Sequence, residues 1–166
     1  MRQWINLEPQ NPLLHPPPSF EALDKESEEP LIGSLEGRGE NVIYVLAVAG
    51  VSRNKSLSEY FIWHREVSRL TRKLISLTIY GVRFSDLSLD QRGYVEQMGG
   101  LIRLEYKRNQ SFLLKDYLRC DFLISLSSEE GFGIPVADAI GFGIKVVARS
   151  ISAYEEQKSS LVRASD

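Results

Sequence analysis

From Asn41 onward, short apolar runs alternate with longer amphipathic ones. Val42 to Val48 is apolar and rich in β-branched residues, the composition of a buried strand. Leu57 to Leu74 sets Leu57, Tyr60, Phe61, Val67, Leu70 and Leu74 at helical spacing. Ile75 to Tyr80 predicts a second strand stopped by Gly81, and Leu87 to Met98 a weaker helix stopped by Gly99-Gly100. Leu101 to Leu104 predicts a short strand, Gln110 to Arg119 a helix and Phe122 to Leu126 a strand. Ile134 to Ile140 predicts a helix whose end is marked by Gly141 and Gly143, and Lys145 to Ala148 a strand after it. A short helix near Ala153 to Lys158 and a last strand near Ser160 to Arg163 complete the series. Continuous apolar strands separated by amphipathic helices predict an α/β fold, a Rossmann-like parallel sheet of about six strands with helices on both faces. Such sheets bind ligands beyond the carboxyl ends of their strands.

The lead of the chain differs. Residues 1–38 hold Pro9, Pro12, Pro16, Pro17, Pro18 and Pro30 together with the acidic cluster Glu26-Ser27-Glu28-Glu29. Each proline lacks an amide hydrogen and restricts its predecessor, so no long helix fits there. The segment reads as a proline-rich arm or interdomain linker, and 39–166 as the folded domain. Trp4, Ile5, Leu13, Leu14 and Phe20 give the arm residues that can pack on a surface.

Composition narrows the class. The chain has 166 residues, 43% hydrophobic and 25% charged, enough for one core. Its formal net charge of −2 leaves no broad basic surface, so nucleic acid is not expected as a partner. Cys120 is the one cysteine, which excludes an internal disulfide and a cysteine-rich zinc site. The longest apolar stretch, Val42 to Val51, is too short to span a bilayer, and no apolar segment of signal-peptide type opens the chain. A cytoplasmic setting is expected.

Two turns carry candidate chemistry. Gly50-Val51-Ser52-Arg53-Asn54-Lys55 follows the first predicted strand and puts two cations where a diphosphate can sit. Read alone, it also suits a solvated loop with Ser56 capping the helix. The second turn, Glu129-Glu130-Gly131-Phe132-Gly133-Ile134-Pro135, runs from a strand into a helix. Pro135 is well placed near a helix start, where its missing amide has no partner to lose. The free amides of Phe132, Gly133 and Ile134 then face a cleft, an arrangement that receives anions. Glu130 and Asp138 bracket it; in isolation they also suit a dipole-complementing acid and a solvated helix position. Neither a P-loop nor a Gly-x-Gly-x-x-Gly dinucleotide turn occurs, and without Asp-x-Asp a metal-held diphosphate is disfavoured. His15 and His64 read as structural or solvated side chains.

The run from Asp121 through Glu130-Gly131-Phe132-Gly133-Ile134-Pro135 to Val146-Val147-Ala148 resembles the nucleotide-sugar-binding core of retaining glycosyltransferases with the GT-B fold, the glycosyl transferases group 1 family. The likeness reaches back to Gly50 and forward to Glu155, Glu156 and Leu161-Val162. It implies a donor-binding half-domain for a UDP- or GDP-sugar, with retained configuration and no metal or resident cofactor. Glu130 matches the acid on the donor-sugar hydroxyls, and Arg53 and Lys55 the diphosphate cations beside Gly50. Phe132, Gly133, Ile134, Pro135 and Val136 match the turn and helix start at sugar and phosphate. Asp138 stands where the family has a glutamate on the ribose, one methylene shorter. Ile102 to Tyr106 lie where the base is read. Lys145 stands in place of a proline, and Leu126-Ser127 in place of Pro-Ser. The family's N-terminal acceptor-binding domain has no counterpart in this sequence, so the chain is expected to be inactive alone. Alternatives are a non-catalytic nucleotide-sugar-binding subunit or sensor, and another α/β phosphate-binding protein.

Overall fold

The computed structural model describes residues 4–7, 39–106 and 110–163. Its elements are β1 (Trp4–Leu7), β2 (Val42–Val48), α1 (Leu57–Leu70), β3 (Leu74–Tyr80), α2 (Leu89–Met98), β4 (Ile102–Glu105), α3 (Gln110–Arg119), β5 (Phe122–Ser125), α4 (Ile134–Gly141), β6 (Lys145–Arg149) and α5 (Ser152–Arg163). One sheet runs in the order β1-β6-β5-β2-β3-β4. All pairs are parallel except β1 with β6, which is antiparallel with Trp4 opposite Arg149 and Leu7 opposite Val146.

The predicted Rossmann-like α/β sheet is therefore present, with five parallel strands instead of six. The expected strand near Ser160 to Arg163 is the end of α5. No glycine or proline interrupts the chain from Ser152 to Arg163, so the helix continues, and Leu161-Val162 is too short an apolar pair to form a strand. The sheet gains its sixth member from β1, the described part of the proline-rich arm; the arm's prolines and acidic cluster lie outside the described residues.

Strand alternation builds two cores. Val45, Ala47, Ile75, Leu77 and Ile79 face Tyr60 and Phe61 of α1 and Tyr94 of α2. Leu46, Leu123, Val146 and Ala148 face Tyr117 of α3, Val136 and Ile140 of α4, and Tyr154 of α5. Helices thus cover both faces, as a parallel sheet requires. Chain order along the sheet runs outward from β2 through β3 to β4, then crosses through α3 to β5 on the other side of β2. The β2–β5 boundary is the point where winding reverses, and connections leaving adjacent strands in opposite directions open a crevice there.

Candidate functional site

The crevice wall on one side is the turn after β2. Arg53–Lys55 forms a single 3-10 turn, and Ser56 enters α1 in a left-handed conformation with φ of 50°. The Ser56 side chain makes no capping bond, so the capping that the solvated-loop reading allowed it does not occur. The other wall is the turn after β5, which ends at Gly133 with φ of +76° before α4 begins. A Cβ at Gly133 would lie 2.3 Å from the Tyr154 ring, so both backbone angle and space demand glycine here. Pro135 falls in the first helical positions as expected. Val136 N–H already donates to Gly133 O (2.9 Å), whereas helix geometry leaves the Ile134 amide without an intrahelical acceptor.

Backbone contacts strap the two turns together. Ser128 N–H donates to Asn54 O (2.8 Å), Ser128 Oγ donates to the same carbonyl (3.2 Å), and Asn54 Nδ2 donates to Glu129 O (3.1 Å). One residue further along each turn, Lys55 Nζ meets Glu130 Oε1 at 2.5 Å. Their side chains are 22% and 13% exposed, so this pair is shielded from solvent more than an ordinary surface bridge. Gly50 stands close under Lys55, its absent Cβ position 3.9 Å from Lys55 Cγ. Arg53 is exposed at the head of the turn, and Phe132 and Ile134 are exposed on the opposite wall.

Below the crevice lies a polar layer that sequence reading did not identify. Tyr60 OH accepts from Leu126 N–H (3.0 Å), and Tyr154 OH and Ser125 Oγ share a 2.7 Å hydrogen bond. Burial pushes the Tyr154 phenol up to about 12; its Ser125 bond opposes the shift and the Glu130 charge adds to it. Burial also raises the Tyr60 phenol, against its bond with the Leu126 amide. Ser127 Oγ is buried near Tyr154 but makes no hydrogen bond of ordinary geometry. Gln157 Nε2 of α5 donates to Phe132 O, and its Oε1 is buried without a partner. Tyr60 counted in sequence only as a large residue at helical spacing, and Tyr154 only as part of a short predicted helix. Their hydroxyl partners come from distant turns, and no local pattern encodes that.

Asp138 is 5% exposed on α4, where its charge contributes to raising the buried Tyr117 phenol, after burial itself. Tyr117 OH in turn donates to Pro135 O (3.1 Å), tying α3 to the start of α4. Val136 is fully buried in the core. Ile102 to Glu105 form β4, two strands from the crevice, and Tyr106 follows with the Arg83 guanidinium 3.8 Å from its ring centre. Among the described residues no cluster of His, Cys, Asp and Glu could hold a metal ion, and no helix is long and apolar enough to cross a membrane.

Comparison with solved structures returns the crystal structure of the GtfA/B complex, with a TM-score of 0.48 and 20% identity over 65% of this chain and 21% of that one. It also returns α,α-trehalose-6-phosphate synthase from Burkholderia multivorans (TM-score 0.49, 17% identity, 69% of this chain and 28% of that one). A UDP-forming α,α-trehalose-phosphate synthase from Burkholderia xenovorans matches at 0.48 and 14% identity, over 67% of this chain and 28% of that one. The chain thus spans 21–28% of the length of these proteins. No protein-family model and no curated protein matches it.

Proposed function

We propose that the β2–β5 crevice binds a nucleotide diphosphate sugar, such as a UDP- or GDP-sugar, as donor for retaining, metal-independent glycosyl transfer. The carrying observation is the meeting of Lys55 and Glu130 at 2.5 Å across the winding reversal, beside the open amide end of α4. Residues 75 positions apart, singled out from separate turns, meet in one ion pair.

In this reading Lys55, Arg53 and the Ile134 amide receive the diphosphate. Glu130 accepts hydrogen bonds from sugar hydroxyls. Asp138 supplies negative charge on the ribose side of α4. As the glycosyl bond breaks, charge gathers on the leaving diphosphate, and fixed donors already face it; each such donor contributes about 3–4 kcal/mol to lowering a barrier of this kind. The acceptor is presented by a partner domain, so this chain alone binds donor and transfers poorly.

Thermal unfolding with UDP, GDP, ADP and their sugars tests the assignment. A ligand at a hundredfold excess over its dissociation constant stabilises the fold by about 2.7 kcal/mol. At least one sugar nucleotide should raise the midpoint, and Lys55→Ala should abolish the rise. Equal stabilisation by inorganic phosphate alone, or by none of the panel, would overturn it.

A further inference from the structure

The cation and the acid assigned to different parts of the donor are bonded to each other across the two turns. We infer that the Lys55–Glu130 pair is a latch that makes the crevice select a nucleoside diphosphate esterified to a sugar over the bare nucleoside diphosphate. This inference rests on the donor-binding reading above.

The pair is built, not accidental. Asn54 and Ser128 lock the turns in register, and Asn54 also holds Glu129 O, so Lys55 and Glu130 emerge from restrained neighbouring positions. Both side chains are largely shielded, at 22% and 13% exposure. A shielded pair resists salt screening, and removing one partner leaves an uncompensated charge.

Consider a bare nucleoside diphosphate entering the crevice. Its anion draws Lys55 away and leaves Glu130 unpaired, with like charge beside it. The exposed Arg53 draws the same anion but does not repair Glu130. A diphosphate carrying a sugar does both jobs. The phosphate takes Lys55, and the sugar hydroxyls donate to Glu130 in place of the ammonium. A free sugar has no anion with which to displace Lys55. The exchange therefore balances only for the sugar ester.

This differs from a Glu130 that merely touches sugar. A simple sugar contact has no effect on bare nucleotide when removed. A latch, once removed, frees Lys55, and bare nucleotide binds more tightly.

Calorimetric titration of the full chain with UDP, GDP, UDP-glucose and GDP-mannose separates the two. Wild type should bind a sugar nucleotide better than its nucleoside diphosphate. Glu130→Gln keeps shape and removes charge; it should tighten the nucleoside diphosphate roughly tenfold and bring the two affinities together. Glu130→Ala should move bare-nucleotide affinity the same way, a second route should the glutamine variant not fold. Lys55→Met should weaken both ligands. If bare-nucleotide affinity is unchanged in both Glu130 variants while sugar-nucleotide affinity falls, the latch is wrong and the donor reading survives. If wild type binds none of the four, the donor reading fails and the latch falls with it.

Discussion

His64 sits fully buried on α1, and its ring nitrogens are both engaged. Nε2 lies 3.0 Å from Ile75 O, which can only accept, so Nε2 carries the proton. Nδ1, 2.8 Å from Tyr94 OH, is then the acceptor in a neutral imidazole. Burial lowers its pKa, partly opposed by the Ile75 bond. Below the ordinary imidazole value of about 6.5, the unfolded chain takes up a proton that the folded chain refuses. Stability therefore falls as pH drops through that window, by no more than about 1.4 kcal/mol per pH unit from this group. Urea unfolding between pH 7.5 and 5.5 should show this slope in wild type and a flatter one in His64→Gln; parallel slopes would remove His64 as the cause. The sequence suggested a structural or solvated role for this histidine, and the structure selects the first. Its partners were illegible because Tyr94 and Ile75 reach it from α2 and β3, 30 and 11 positions away.

At the scale of elements, helix α5 acts as a buttress for the glycine turn. Tyr154 fills the space that a Gly133 side chain would need, and Gln157 holds the Phe132 carbonyl. Gly133→Ala should cost at least about 1–3 kcal/mol from the left-handed backbone alone, with ring overlap added. Chemical denaturation measures the loss, and combining it with Tyr154→Leu should return the overlap part but not the backbone part. Full additivity of the two losses would show that the ring and the turn do not meet. The start of α4 was readable from Ile134-Pro135, since proline near a helix start has one clear physical use. The length of α5 was not: its Ser159-Ser160 and β-branched Val162 carry weak helical preference, and only the missing breaker spoke for continuity. The 3-10 turn and left-handed Ser56 were likewise hidden, because the straps from Asn54 to Ser128 and Glu129 that hold this turn join segments far apart in sequence.

Across the whole molecule, the winding reversal brings the β2 and β5 turns together, and alternation of apolar residues was enough to foresee the layered sheet. What alternation omits is β1, because a four-residue stretch beside prolines carries no periodic signal and gains its place only by pairing with β6. That pairing has a structural consequence at the crevice. β6 leads through Ser150 and Ile151 into α5, and Ser150 Oγ donates to Glu155 Oε1 (2.8 Å) across that joint. α5 in turn props the Phe132–Gly133 turn at the crevice. Without β1, β6 becomes an edge strand with one row of unpaired backbone groups, which opens more readily. Deleting residues 1–7 should therefore speed amide hydrogen exchange in Val146 to Arg149 and α5 several-fold. Leu46, in a strand paired on both sides, should keep its rate. On the proposed donor reading the same deletion should weaken sugar-nucleotide binding in proportion, since the Phe132–Gly133 turn loses its fixed support. Uniform acceleration through β2 would instead make β1 a contributor to global stability, and unchanged exchange in β6 would sever the edge from the crevice.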